Sequence, residues 1–360
     1  MKKILVVDDS ALMRSVICDI INSDKRFQVA DKAYNGLQAF DLLSRNSYDA
    51  VVLDVNMPRM NGLELLKELR KYRIMAKVMM ASTDTKDGAQ TTMEALELGA
   101  LDFIHKPDNA RDCRLDSFKE ELLRTLSVVA DSKLPMFDSA ERTESDSRTT
   151  QKVVDIVAKS TPNTSAKRVV AIASSTGGPR ALQEVIPRLP AELDAPVLVV
   201  QHMPKGFTAS LAERLNSLSE IPVKEVCEGM VLESGTVYIA MGGMHMNVRN
   251  SANGSHTIHL SDEPNREGVK PCANYMYESL AECHFDDIVC VVMTGMGADG
   301  TEGIRNLKNK KKVHVISQNQ ETCTVYGMPK SIEHAGLTDQ VVALDKIAQE
   351  IILRVGVSHR

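Results

Sequence analysis

Tryptophan is absent from the 360 residues, and aromatic residues together make up 4%. A chain so poor in stacking surfaces has little with which to hold nucleic-acid bases. Positive charge is also short: 43 Lys and Arg against 48 Asp and Glu give a formal net charge of -5. That balance argues against a nucleic-acid or anionic-membrane surface as the main partner. The first apolar run stops after Val7 at two aspartates, far short of a signal-peptide core or a bilayer span. The seven cysteines are scattered, odd in number and never spaced as CxxC. They read as reduced thiols filling cores in a cytoplasmic protein, not as a disulfide framework or a metal site.

What is present is a 43% hydrophobic, 25% charged chain, the balance of a globular protein. Its length suits two domains. Short β-branched runs alternate with amphipathic helical patterns, the mark of doubly wound parallel α/β sheets. In the first half, strands are expected at Ile4–Val7, Ala50–Leu53, Val78–Met80 and Leu101–Ile104, with a weaker one at Val29–Ala33. A helix marked by Leu115, Phe118, Leu122, Leu126 and Val129 closes this half. A stretch rich in Ser, Thr, Asp and Glu then follows to Ala166 and reads as a linker. The alternation resumes with apolar strands at Val169–Ile172, Val197–Val200, Ile288–Met293 and Val313–Ile316. The expected boundaries are 1–125, a linker 126–166, and 167–356.

In the first domain Asp8, Asp9 and Asp54 follow strand ends, where open α/β sheets bind ligands. One such aspartate alone is most often a loop cap. Three converging carboxylates repel one another unless a cation lies among them, and Mg²⁺ suits carboxylate, carbonyl and water ligands. Ser82 and Lys106 follow two further strands. Beside an acidic pocket, Lys106 can pair with a phosphoryl group. The series VVDDS, LDVNMP, a hydroxyl after the fourth strand and KP after the fifth resembles the receiver domain of two-component response regulators. The resemblance implies Asp54 as phosphoacceptor, Mg²⁺ held by Asp8, Asp9, Asp54 and the Asn56 carbonyl, and Ser82 as the switch hydroxyl, with Thr83 one residue away.

In the second domain a strand runs straight into Ser174-Ser175-Thr176-Gly177-Gly178-Pro179, with Pro179 opening a helix. This turn matches neither GxSxG nor GxGxxG. An ordinary loop is the bland reading of it. His202 and Asp299 also lie just past apolar strands. If those strands are neighbours, Ser175, His202 and Asp299 share one crevice and supply nucleophile, base and orienting carboxylate. His245 sits on a loop that could line the substrate cleft, but its chemistry alone favours a surface loop histidine. His256 and His259 read as part of a polar hairpin around Asn253-Gly254.

The motifs ASSTGGP, QHMP, TGMGADG and TVYGMPKS resemble the catalytic domain of the chemotaxis protein-glutamate methylesterases. The family pattern IGASTGG is departed from in Ala173 and Ser174, so Ser174 stands as a rival to Ser175. The resemblance implies Ser175 as nucleophile, His202 as base and Asp299 as its partner, with Thr176, Gly177 and Met296 on the oxyanion and substrate loops. It implies no cofactor in this domain. The implied activity is phosphorylation-dependent hydrolysis of glutamate methyl esters, and deamidation of glutamines, on cytoplasmic segments of methyl-accepting chemoreceptors. The implied phosphodonor is the chemotaxis histidine kinase. The chemistry of the residues alone reaches only a serine hydrolase. Its rivals are a non-catalytic binding output and a hydrolase for another ester or amide. The expected control is a receiver that covers the Ser175 crevice until it is phosphorylated.

Overall fold

A computed structural model describes residues 1–82, 86–107, 116–133, 167–252 and 254–358. Thr83, Leu115, Cys113, Asn253 and the stretch 134–166 lie outside the described residues. The chain divides into two compact units.

In the first unit, β1 (Lys2–Val7), β2 (Phe27–Ala33), β3 (Ala50–Asp54), β4 (Val78–Ser82) and β5 (Asp102–His105) form one sheet in the order β2-β1-β3-β4-β5. Every pairing is parallel. The intervening helices are α1 (Ala11–Asn22), α2 (Gly36–Arg45), α3 (Gly62–Lys71), α4 (Lys86–Glu97) and α5 (Asp116–Asp131). β3 and β4 are buried along their whole length, which is why they read as unbroken apolar runs. The apolar stripe of α1 (Met13, Val16, Ile17, Ile20 and Ile21) packs with Leu122, Leu126 and Val129 of α5. Burying each such side chain is worth roughly 1.5–3 kcal/mol. Local chemistry sets the helix starts. Ser10 Oγ accepts from Met13 N, and Asn61 and Glu64 form a reciprocal cap on α3. α5 runs on to Asp131, so residues 126–131 are helix where the linker was expected to begin.

The second unit holds a seven-stranded parallel sheet, ordered β14-β13-β12-β6-β7-β9-β8. Its central strands are β12 (Asp287–Val292), β6 (Arg168–Ser174) and β7 (Val197–Gln201). Beyond them lie β13 (Val313–Gln318) and β14 (Gln340–Val342) on one side, and β9 (Val237–Ile239) and β8 (Val223–Glu225) on the other. An antiparallel hairpin, β10 (His245–Asn250) with β11 (His256–Ser261), is separate from the sheet. The helices are α6 (Gly178–Val185), α7 (Phe207–Leu218), α8 (Ala273–Ser279), α9 (Thr301–Lys308), α10 (Met328–His334) and α11 (Leu344–Val355). From β6 the chain builds outward through β7, β8 and β9 on one side of the sheet, then returns to lay β12 against the other side of β6. Such a reversal opens a crevice at the strands' carboxyl ends. The fold continues past the expected end at 356, since Val357 bridges Leu193 and Ser358 N donates to Glu192 O.

Candidate functional site

The crevice at the β12-β6-β7 strand ends receives one polar residue from each strand. Ser175 directly follows β6, His202 directly follows β7, and Asp299 closes the loop between β12 and α9. His202 Nε2 lies 2.7 Å from Asp299 Oδ2. Asp299 is 2% exposed. Its Oδ1 accepts from Cys272 Sγ (3.0 Å), Asn274 N (2.9 Å) and Gly300 N (2.8 Å), and Oδ2 accepts from Ala273 N at 2.6 Å. Burial pushes the carboxyl upward, but the hydrogen bonds from His202, Cys272 and Ala273 outweigh it and leave its pKa below the ordinary range. An ionised carboxylate only accepts, so Nε2 carries a proton and Nδ1 is the basic nitrogen of the neutral ring. This reverses the ring usage of the serine-protease triad.

The two serines at the end of β6 differ. Ser174 is fully buried, and its hydroxyl donates to Gln201 Oε1 at 2.7 Å. Ser175 is half-buried and held through its backbone: its N–H donates to Thr294 O at 3.0 Å, and its carbonyl accepts from Gln201 Nε2 at 2.9 Å. Gln201 Nε2 also donates to His202 O at 3.2 Å. One side chain thereby couples the Ser175 and His202 backbones. The turn is tight enough to need glycine. A Cβ on Gly178 would collide with Gln201 Oε1, and one on Gly295 would stand 2.7 Å from Ser175 Cβ. Thr176 is buried and Met296 is 37% exposed. Thr294 Oγ1 donates to Thr176 O at 3.0 Å and accepts from Val325 N, tying the β6 turn to the segment before α10.

Sequence reading missed Gln201, Thr294, Cys272 and Asn274. The only signal for them was polarity at the ends of apolar strands, or beside a motif. The reading of His245 as a surface loop residue is corrected. It opens β10, is fully buried, and lies tilted against Tyr275 with ring centroids 4.4 Å apart. Its Nδ1 accepts from Cys272 N at 3.2 Å, and burial lowers its pKa. His256 is buried against Phe285, and desolvation brings its pKa down to about 4. The hairpin expected around this stretch is present, but it is not polar throughout, because Met246, Val248 and Ile258 enter the core. Gly295 to Gly300 carries G-x-G-x-x-G spacing between a strand and a helix, the pattern of a pyrophosphate cradle. Here the Asp299 carboxylate already takes the Gly300 N–H, and a bound phosphate would meet that charge.

The first unit brings its acidic residues together as well. Single ligand atoms of Asp8, Asp9 and Asp54 lie within 4.8 Å of one another. Asp8 and Asp54 are buried, while Asp9 and Asn56 are exposed. Lys106 Nζ reaches Asp54 Oδ2 at 2.7 Å and Asp8 Oδ2 at 3.0 Å. Burial alone would lower the ammonium pKa, and the two carboxylates more than reverse that. Burial, with Asp8 adding to it, raises that of Asp54 against the pull of Lys106. Ser82 ends β4 and is buried. The arrangement is an all-oxygen donor set with one fixed cation, fit for a hard divalent metal.

Residues 170–351 match the CheB methylesterase family model, and residues 4–115 match the response regulator receiver domain model. A protein-glutamate methylesterase/protein-glutamine glutaminase of Syntrophomonas wolfei is 42% identical over 358 residues, covering 98% of both chains. The chain belongs to the CheB methylesterase family. A Bacillus subtilis protein of the same name is 40% identical, again over 98% of each chain. The solved CheB methylesterase catalytic domain of Thermotoga maritima is 41% identical with a TM-score of 0.50, and covers 52% of this chain and 98% of its own. No helix among the described residues is long and apolar enough to cross a membrane.

Proposed function

We propose that the chain hydrolyses glutamate γ-methyl esters, and deamidates glutamines, on cytoplasmic segments of chemoreceptors, and that phosphorylation of Asp54 controls it. The observation that carries the reaction is the 2.7 Å His202–Asp299 bond beside the partly exposed Ser175 on the neighbouring strand. His202 Nδ1 takes the Ser175 proton as Oγ attacks the ester carbonyl, and Asp299 stabilises the imidazolium that forms. Backbone N–H groups at Thr176, Gly177 and Met296 are the candidate donors to the oxyanion. The imidazolium returns its proton to the leaving methoxy oxygen, and methanol departs. Water, activated by the same ring, then splits the acyl-enzyme and leaves a glutamate. With a glutamine substrate the leaving group is ammonia.

In the receiver domain, Asp8, Asp9, Asp54 and the Asn56 carbonyl would hold Mg²⁺, which offsets the carboxylate charge that opposes an incoming phosphoryl group. Lys106 holds Asp54 now and would pair with the phosphoryl oxygens afterwards. The Ser82 hydroxyl, at the end of the adjacent strand, would follow it. The phosphodonor in this reading is a chemotaxis histidine kinase, and the compartment is the cytoplasm. Methanol release from methyl-labelled receptor membranes tests the reaction. Turnover that survives Ser175→Ala would refute the assignment of the nucleophile.

A further inference from the structure

We propose that Cys272 and Asn274 are positioning residues for Asp299, set at the start of α8 to aim the carboxylate at His202. This rests on the triad reading above, and extends it to two residues that touch neither substrate nor nucleophile.

The argument begins with helix α9. Its N-cap is Gly300, in the left-handed region at φ 95°, which has no side chain to satisfy the first N–H groups. Asn274, fully buried on α8, supplies the cap from outside. Its Oδ1 accepts from Gly300 N at 3.1 Å and Gly303 N at 2.6 Å. A Cβ on Gly303 would stand 2.7 Å from Asn274 Cα, so the close approach requires glycine there. The Nδ2 of Asn274 is held in turn by Glu267 at 2.8 Å. The backbone just after Asp299 is thereby fixed from α8.

The same segment fixes the carboxylate itself. The Cys272 thiol and the Ala273 and Asn274 N–H groups all donate to it. With His202 and Gly300 N added, five donors meet a group with about four lone-pair sites. Rotation about the Asp299 side chain would break several bonds at once. A thiol suits this role because burial, and then the charge of Asp299, keep Cys272 protonated and donating. His245 Nδ1 holds the Cys272 backbone N–H from the other side.

The test compares Cys272→Ala, Cys272→Ser and Asn274→Ala in the full chain, with methyl-labelled receptor as substrate. Cys272→Ala removes one donor and little volume, and kcat is expected to fall on the order of 10-fold with KM unchanged. Cys272→Ser restores a donor and recovers the rate. Asn274→Ala lowers kcat at least as much. In an Asp299→Ala background, Cys272→Ala adds no further loss in kcat, because the carboxylate it aims is already gone. The His202 ring N–H proton resonance, identified by its absence in His202→Gln, reads the same contact without turnover. It shifts in Cys272→Ala and returns in Cys272→Ser. Wild-type kcat in Cys272→Ala, a loss that serine does not rescue, or full additivity with Asp299→Ala overturns the proposal. An inactive wild type whose resonance still responds to Cys272→Ala would refute the ester reading and leave this one standing. An unmoved resonance would refute this one.

Discussion

Ser174 and Ser175 are adjacent in sequence and opposite in circumstance: one hydroxyl is buried on Gln201 Oε1 at 2.7 Å, the other belongs to a half-buried residue at the mouth of the crevice. Ser175→Ala is expected to abolish turnover with the fold intact. Ser174→Ala leaves a buried Gln201 acceptor unpaired, which costs about 1–3 kcal/mol of stability. Because Gln201 also holds the Ser175 and His202 carbonyls, turnover is expected to fall within about 10-fold. Denaturation midpoints and methanol release on both variants check this.

Asp299→Asn is expected to lower kcat on the order of 10⁴-fold, following the handling of the same substitution in the serine-protease triad. Turned toward His202, the amide NH₂ would donate to Nε2, place the ring proton on Nδ1 and leave no base for Ser175. Turned the other way, it would face the Cys272, Asn274 and Gly300 donors. Steady-state kinetics, with circular dichroism to confirm folding, measure the outcome.

The lowered pKa of Asp299 also makes a stability prediction. A carboxyl depressed in the folded state stabilises the fold above its unfolded value, near the ordinary 3.8, and loses that contribution as pH falls through the folded value. Thermal denaturation from about pH 3 to about pH 7 should show a smaller acid-side loss in Asp299→Asn than in wild type.

Removing Mg²⁺ with a chelator is expected to abolish phosphorylation of Asp54 and leave unstimulated hydrolysis unchanged, since the acidic cluster belongs to the receiver domain. Asp54→Asn is expected to hold turnover at its basal rate when an acyl phosphate donor is added. Phosphate incorporation and methanol release, measured side by side, separate the two steps.

The parts of the fold that bury both faces were legible in the sequence, because β3, β4, β6, β7 and β12 leave continuous apolar runs. Strands β8, β9 and β14 have only three residues each, too few to carry a period. The strand-end positions of Ser175, His202 and Asp299 were readable. Their adjacency was not, because it depends on the order β12-β6-β7, which no local pattern encodes. Gln201, Cys272 and Asn274 were hidden for the same reason: their bonds to Ser174, Ser175, Asp299, Gly300 and Gly303 span 25 to 29 residues. His245 was misread because its imidazole partners, Pro264 and Cys272, come from a later loop.

The most direct test of a phosphorylation-controlled serine esterase is methanol release from methyl-labelled chemoreceptor membranes by wild type, Ser175→Ala and Asp54→Asn, each with and without a phosphodonor. Wild type should release methanol and accelerate with the donor, Ser175→Ala should release none, and Asp54→Asn should stay at the unstimulated rate. Release by Ser175→Ala, or stimulation of Asp54→Asn equal to that of wild type, would contradict the account.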